Sequence, residues 1–596
     1  MGVLMKLRLF SLLAVTAFIV ACSDDPEHER RRACAIATVA CSDDPEPGKD
    51  AFTGDPDTTD TNTGDVAADD SVDADTKPAE DIIGDDEDVV DDEDVVDDEG
   101  LAEDKVEPTD PASARPDADW STLPTLPQGK NFATRYAAGV ARVDISPKNP
   151  INLSGYGFCL GAAEGCRLAL DVHDPLYATA VAFADPQNGE VVVFVGFDGV
   201  GIFPFDADVI QARVQTRMYE EKGLYFQGER LIPVATHSHA GPDTTGLWGD
   251  MMDLDNIRDE EYINILREGI VDAAIQAIDD LGDVELVWTK TSLENRTNDC
   301  FNTDYDMYII QGKRPDAETL FTMVRWAAHP TVYGSDNLAV SADWVGPFRK
   351  KIDEATGALS VYLQGPIGGV YPEERPDECG LEEEAFPDGY KYENPNDPGN
   401  MDAQRMKVTC TGYLIAQSVL DALDGELTPV ADTGIEFNYK DFEFHAENGM
   451  FSMLLDIAPT LPLPPIKSGD PNSKIWEEVE WVKLGDLNFL TSPGESFPTF
   501  AKKGADILLE AGYTNPIVMG MSPNWIGYLL AKEHWELDKE VIDANKLDYN
   551  MGLSPGKYLD EAYTAAVQAM VDERAVNHGV FGHIFHVQAM VDERAQ

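Results

Sequence analysis

The chain has 596 residues, of which 110 are acidic and 44 are basic, so its formal net charge at pH 7 is −66. This balance excludes a general nucleic-acid-binding protein, because phosphate recognition requires clustered lysine and arginine. It disfavours anionic lipid surfaces for the same electrostatic reason. The hydrophobic fraction of 43% and the length together predict a large domain with a well-buried core.

Residues 1–21 predict an export signal. Lys6 and Arg8 precede an apolar run, Leu9–Ala21, that is too short and too closely followed by charge to span a membrane. The run ends at Ile19-Val20-Ala21-Cys22, which resembles the lipobox of bacterial lipoproteins. The resemblance implies a lipid on Cys22 and a position at the bacterial cell envelope or outer surface. An ordinary signal peptide, and therefore secretion, is the alternative.

Residues 22–130 predict an acidic, low-complexity, disordered tether. Between Ser42 and Asp119 there are 31 acidic residues and four basic ones. Such a segment cannot bury enough apolar surface to offset the entropy lost on ordering, and its like charges extend it. Calcium binding is disfavoured, because no stretch of it has the ligand spacing of an EF-hand loop.

Residues 131–565 predict a single large α/β domain in which layered β-sheets are flanked by helices. Strands are predicted at 190–198, 230–235, 285–292, 319–328, 358–364, 434–445 and 480–491, and helices at 206–222, 259–281, 401–423 and 497–511. Cys159 and Cys166 flank a glycine-rich loop and predict a short disulfide, and Cys379 with Cys410 is a second candidate pair. Residues 566–596 are predicted to be a tail, in which one nonapeptide occurs at 567–575 and again at 587–595.

Two predicted strands run directly into histidines. The first continues as Thr236-His237-Ser238-His239, and the second ends in Trp326-Ala327-Ala328-His329. In extended backbone, side chains two residues apart point the same way, so His237 and His239 are expected to face one site. Because α/β proteins build their sites at strand ends, the two motifs predict a metal centre there. His578, His583 and His586 form a competing cluster in the tail and are expected to face solvent.

Five short segments of the sequence resemble, in the same order along the chain, motifs of the neutral/alkaline non-lysosomal ceramidase family. They are ATHSHAGPD at 235–243, ENRTND at 294–299, WAAHPT at 326–331, SPGES at 492–496 and GMSPNWIGYLLAKEHW at 520–535. The resemblance covers roughly residues 136–565.

The resemblance implies a Zn²⁺ site whose ligands are His237, His329, Glu495 and Tyr528. Two imidazoles and a carboxylate are a catalytic type of zinc shell, which leaves a position for a water whose pKa the metal lowers. The resemblance also implies that His239 acts as an acid or base or as an oxyanion donor, and that Arg296 stabilises developing negative charge. The structural alternatives are that Glu495 caps a helix, that Tyr528 is a core residue and that Arg296 is an ion-pair partner.

The sequence departs from the family pattern at the substrate. The family word Gly-Asp-Val-Ser-Pro, whose serine lies at the substrate, is replaced by Gly368-Gly369-Val370-Tyr371-Pro372, so Tyr371 is the predicted substrate-binding residue. Only 68 residues follow Tyr528, too few for the additional C-terminal β-sandwich of the family. The apolar, proline-rich stretch 453–466 is either a mouth that accepts lipid or a buried connector.

The sequence therefore predicts zinc-dependent hydrolysis of an amide bond in an N-acyl lipid of the ceramide type. A zinc hydrolase of the same fold that acts on a different amide or ester is the first alternative. A non-catalytic, ligand-binding surface lipoprotein is the second. A lipid or other small amide is the expected partner, and no motif indicates a protein partner.

Overall fold

The computed structural model describes residues 123–574 except residues 128, 158, 160–165, 251–256, 375–400 and 449–473. The predicted export signal, Cys22, nearly all of the tether, the stretch 453–466 and the three tail histidines lie outside the described residues.

The described chain alternates strands with helices. In chain order the strands are β1 Tyr136–Asp144, β2 Ile151–Asn152, β3 Leu168–Ala169, β4 Asp171–Val172, β5 Tyr177–Asp185, β6 Glu190–Phe197, β7 Leu231–Ala235, β8 Gly282–Ser292, β9 Asn295–Thr297, β10 Asp306–Lys313, β11 Thr319–Trp326, β12 Ala339–Val340, β13 Leu359–Gln364, β14 Val370–Pro372, β15 Thr428–Pro429, β16 Ile435–His445, β17 Lys474–Leu484, β18 Leu487–Thr491, β19 Glu495–Ser496, β20 Pro516–Met519 and β21 Tyr528–Leu529. The helices are α1 Pro204–Lys222, α2 Glu260–Asp279, α3 Val345–Thr356, α4 Met401–Leu423, α5 Pro498–Glu510, α6 Lys539–Ala544, α7 Leu547–Gly552 and α8 Tyr558–Arg574, with short 3₁₀ helices at Gly228–Arg230 and Lys532–Glu536.

Two sheets form the centre of the described fold. The larger has the strand order β13-β11-β10-β8-β1-β5-β6-β7, with β15 added to β8, and the smaller has the order β16-β17-β18-β20. Most neighbours in the larger sheet are antiparallel, but β6–β7 and β11–β13 are parallel pairs. Helix α1 connects the first parallel pair and α3 connects the second, which is the usual helical crossover between parallel strands.

The sheets pack face to face and helices cover their outer surfaces. Along β6, Val192 and Phe194 enter the core between the two sheets. The alternate residues Val191 and Val193 pack instead with apolar side chains of α1 and α2. Burial on both faces explains why this strand is a continuous apolar run rather than an alternating one. Helices α3 and α4 cover β10, β11 and β13, and α5 and α8 lie against the smaller sheet. The layered α/β fold predicted from the sequence is therefore confirmed.

Two bounds predicted from the sequence are corrected by the structure. The strand predicted at 480–491 is a hairpin of β17 and β18, because the chain turns at Gly485, whose φ of +63° glycine adopts without steric cost. Helix α8 continues past the predicted domain end at 565, with Val567 and Met570 buried in the core. Residues 567–574 of the first nonapeptide copy therefore belong to the fold, not to a tail.

The structure also tests the predicted disulfides and the presence of membrane-spanning helices. The disulfide predicted between Cys159 and Cys166 is present, with a Cα–Cα distance of 4.4 Å. Cys410 is also disulfide-bonded, but its predicted partner Cys379 lies outside the described residues. Within the part of the chain that the structure describes, no helix has the length and apolar character needed to cross a membrane.

Candidate active site

The two histidine motifs meet because the ends of the large sheet come together. His237 follows the end of β7, and His329 follows the end of β11. The side-chain amide of Gln364, at the end of β13, donates to the carbonyl oxygens of Thr236 (2.7 Å) and Ala328 (3.0 Å). One buried amide therefore ties the two histidine-bearing segments to each other.

The backbone at the first motif is turned rather than extended. Strand β7 stops at Ala235, and His237 has a φ of +66°, which is rare for a residue with a side chain. The N–H of His237 donates to the carbonyl of Gly199 at 2.8 Å, which holds this conformation. His237 and His239 do face one site, with 3.2 Å between their Nε2 atoms. The prediction that strand alternation brings the two rings together was therefore wrong. A turn with a positive φ at His237 brings them together instead.

Backbone carbonyls set the orientation of the two principal rings. Nδ1 of His237 is hydrogen-bonded to the carbonyl of Val200, and Nδ1 of His329 to that of Val370 at 2.8 Å. Because a carbonyl only accepts hydrogen bonds, each Nδ1 carries the proton and each Nε2 presents a lone pair. This is the arrangement in which histidine binds a metal through Nε2.

Glu495 completes the centre. Its Oε2 lies 3.0 Å from Nε2 of His329, and its Oε1 lies 3.5 Å from Nε2 of His237. Lone pairs of two imidazoles therefore converge on carboxylate oxygens that also only accept. A bound cation resolves this arrangement of acceptors, and the donor set of two nitrogens and a carboxylate suits zinc.

Tyr528 is held beside Glu495 by main-chain pairing. Strands β19 and β21 are parallel, with Glu495 and Tyr528 in direct register, and the two side chains are hydrogen-bonded. Burial and the adjacent carboxylate raise the pKa of Tyr528 well above its usual value, so without a metal it is a neutral phenol. Glu495 does not cap helix α5: its described side-chain contacts are with His237, His329, Trp525 and Tyr528. The N-cap residue of the helix, Phe497, makes no side-chain cap hydrogen bond.

His239 is the third histidine of the site, and its ring contacts those of His237 and His329. His237, His239 and His329 offer nitrogen atoms that all lie within 4.8 Å of one another, so these three residues can hold a metal ion. Burial, together with the neighbouring His237 and His329, keeps the pKa of His239 well below its usual range. Its Nδ1 is buried and has no hydrogen-bond partner among the described residues. A neutral imidazole with a free ring nitrogen is suited to proton transfer as well as to metal binding.

Tyr371 covers the second histidine. Its ring stacks on that of His329, with centroids 5.1 Å apart and an angle of 24° between the planes. Its direct cross-strand partner is Arg296, so both side chains leave the same face of the β9–β14 pair. The side chain of Arg296 is 38% exposed and forms ion pairs with Glu373 (4.0 Å) and Glu374 (3.5 Å). The structure thus places Arg296 beside the phenol, and the ion pairs foreseen as its structural alternative are present.

Three residues of the site were not foreseen from the sequence. Trp525 donates from Nε1 to Oε1 of Glu495 at 3.0 Å and stacks with Phe203 and Trp248. Tyr156 packs edge-on against His239 at 5.0 Å between centroids, and Arg167 donates to the carbonyl of His239 at 3.0 Å. Trp525 lies within one of the family-like words, so a signal for it existed. Nothing in the sequence around Tyr156 or Arg167 connects them to His239, which lies 83 and 72 residues further along the chain.

Solved ceramidase structures share this fold. The neutral ceramidase from Pseudomonas aeruginosa aligns with a TM-score of 0.55 at 15% sequence identity, over 77% of this chain and 78% of that one. A ceramidase complexed with C2 aligns with a TM-score of 0.53 at 14% identity, over 76% of this chain and 78% of that one. No family model matches the sequence. At these identities the comparison confirms the ceramidase-like fold expected from the motifs.

Proposed function

We propose that this protein is a zinc-dependent amide hydrolase that acts on an N-acyl lipid or a related N-acyl amide. The observation that carries the proposal is the convergence of His237, His329 and Glu495, with Tyr528 in register beside the carboxylate. The structural neighbours are ceramidases, and ceramide contains one amide bond, so the fold and the donor set support the same chemistry.

In this proposal His237, His329 and Glu495 would hold the zinc, and Tyr528 would be a fourth ligand. When bound, zinc lowers the pKa of a water and polarises the amide carbonyl. Glu495 contributes the negative charge of the shell, and Trp525 holds its carboxylate in one orientation through a hydrogen bond of 3.0 Å. Histidine orientation depends on the carbonyls of Val200 and Val370.

His239 is the proposed acid–base group. It lies next to His237, and its ring is neutral because it is buried among other imidazoles. It accepts the proton from the attacking water and returns it to the leaving amine, which yields a carboxylic acid and an amine. Arg296 is proposed to stabilise negative charge on the carbonyl oxygen from the face that it shares with Tyr371.

The stacked phenol of Tyr371 favours a specific alternative for the substrate. A small serine in the ceramidase family word is replaced here by a ring that covers His329. A simpler N-acyl amine, which has a smaller group than ceramide beside its amide, fits the space next to Tyr371 better. The class of reaction is unchanged.

The test uses the purified full-length chain with a fluorescent ceramide, a fluorescent simple N-acyl amine and an ester of the same acyl chain. Hydrolysis of either amide that stops with a chelator and returns with zinc is the expected result. His237→Ala is expected to lose both the metal and the activity. Stoichiometric zinc with cleavage of the ester alone favours the different-substrate reading. Absence of zinc together with absence of hydrolysis favours a ligand-binding protein and refutes the proposal.

We also propose that the protein is anchored at the bacterial cell envelope by a lipid on Cys22. The support is the sequence of residues 19–22 and the predicted acidic tether that follows it. Metabolic labelling with a fatty-acid analogue is expected to mark the wild-type protein and not Cys22→Ser. Equal labelling of both proteins would exclude this anchor.

A further inference from the structure

A buried hydrogen bond between a histidine and an aspartate, outside the histidine cluster, connects segments that carry proposed site residues. Asp299 lies three residues after Arg296, and His534 lies six residues after Tyr528. Nε2 of His534 is 3.2 Å from Oδ1 of Asp299, and both side chains are fully buried. Nδ1 of the same ring lies 3.3 Å from the carbonyl oxygen of Ala531, so both ring nitrogens of His534 have a described hydrogen-bond partner. Although burial opposes ionisation, the contact with His534 lowers the pKa of Asp299, so the carboxylate is charged.

The same carboxylate holds the start of helix α5. The N–H of Thr499 donates to Oδ2 of Asp299 at 2.7 Å, and its hydroxyl donates to Oδ1 at 2.8 Å. The first N–H groups of a helix need an acceptor from outside it, and the N-cap residue of α5 does not supply one. Asp299, from a segment 200 residues away, takes that role. Thr499 lies four residues after Glu495, so the carboxylate of Asp299 fixes the segment that carries this proposed ligand.

Packing extends the connection to Tyr528. The ring of Phe497 contacts His534, with centroids 5.1 Å apart, and Tyr528, with centroids 6.4 Å apart. The N–H of Phe497 donates to the carbonyl of Leu529 at 2.9 Å. Backbone hydrogen bonds on both sides of Glu495, including this one, set its register with Tyr528, and the ring of Phe497 packs the paired segments against His534.

We propose that Asp299 and His534 are positioning residues that set the separation of Glu495 and Tyr528, and with it the affinity for zinc and the turnover rate. The proposal rests on the proposed function and deepens it. Both residues act through Thr499 and Phe497, because their described side-chain contacts are with these residues and with residues 301–302 and 531, not with the histidine cluster. Supporting groups around a metal site commonly change affinity or activity by about 10- to 100-fold.

The experiment compares the full-length wild type with His534→Gln and Asp299→Asn. Zinc affinity is measured by competition with a chelator, and kcat and KM are measured on the best amide substrate. For both variants we expect zinc affinity and kcat to fall about 10- to 100-fold, with KM changed less than about threefold, because the substrate contacts are untouched.

Asp185→Asn is the matched control. Asp185 is also fully buried and ion-paired, with Arg135, but it lies at the opposite end of β5 from the site. This variant is expected to lose unfolding free energy while it keeps zinc affinity and kcat. Thr499→Val, which removes one hydroxyl and keeps the backbone contact, is a milder second variant. We expect it to lower zinc affinity about threefold to tenfold.

The proposal is overturned if His534→Gln and Thr499→Val both match Asp185→Asn in zinc affinity and kcat to within about twofold. It is equally overturned if Asp185→Asn weakens zinc binding as much as they do, because the effect is then general destabilisation. A wild type that binds zinc but cleaves no N-acyl amide refutes the proposed function. The zinc affinities then still decide the role of Asp299 and His534.

Discussion

The substitution Glu495→Gln tests the centre most directly, because every orientation of the new amide is unfavourable. Oε1 of Glu495 accepts from Trp525, and Oε2 faces Nε2 of His329. If the NH₂ group of the glutamine replaces Oε1, two donors face each other, because Trp525 also donates there. If it replaces Oε2, it donates to the Nε2 lone pair of His329, which is then not available to the metal. The negative charge of the shell is lost in both cases.

The structure sets the size of the effect. A hydrogen bond to a charged group contributes about 1.5–3 kcal/mol, and about 2.7 kcal/mol corresponds to a 100-fold weaker affinity for zinc. With zinc at 1,000 times the wild-type Kd, the metal stabilises the wild type by about 4 kcal/mol and the variant by about 1.4 kcal/mol. For a domain of roughly 450 residues this difference is about 3 °C in the zinc-dependent shift of Tm.

The assay is a thermal-unfolding titration with zinc, together with chelator competition. The matched control is Glu478→Gln, because Glu478 is also buried and hydrogen-bonded, to the amide of Gln211 at 3.2 Å, on strand β17. We expect the control to keep the wild-type zinc shift and Glu495→Gln to lose most of it. An unchanged zinc affinity in Glu495→Gln would show that Glu495 is not a ligand and that His239 takes its place beside His237 and His329.

Three further results are expected. Tyr371→Ser uncovers His329, so kcat/KM for ceramide should rise roughly tenfold while that for a small N-acyl amine changes little, and equal changes would exclude a role in selectivity. His239→Gln should keep zinc but lower kcat at least 100-fold, whereas loss of zinc would identify His239 as a ligand. Burial raises the pKa of Asp174 to about 6, above its unfolded value of about 3.9, so its ionisation weakens the fold as pH rises from about 4 to 6. Asp174→Asn should therefore gain about 3 kcal/mol of unfolding free energy over wild type at pH 8 and almost none at pH 4 in urea titrations, and an equal gain at both would contradict this reasoning.

Much of the fold was visible in the sequence because its signals are local. The apolar run of β6 and the glycine at the end of α1 each follow from neighbouring residues, and both elements are present. Strands β1 and β5 were not predicted, since their alanine-rich sequences have little intrinsic preference for a strand. Their state is decided by pairing with each other across the sheet. The turn that divides residues 480–491 lies at Gly485-Asp486, a local hairpin signal that the strand prediction did not use.

The sequence by itself determined the chemistry that is available: two histidine motifs at strand ends, a glutamate and a tyrosine in recognisable words, and a net charge of −66. Only the tertiary structure decided which of these groups meet. His237 and His329 are 92 residues apart in the chain, and Glu495 lies a further 166 residues on. The two histidine segments are joined by the side-chain amide of Gln364, and Glu495 is held in place by the pairing of β19 with β21. Contacts of this kind are made between distant segments, and no local pattern of residues encodes the distance between two side chains.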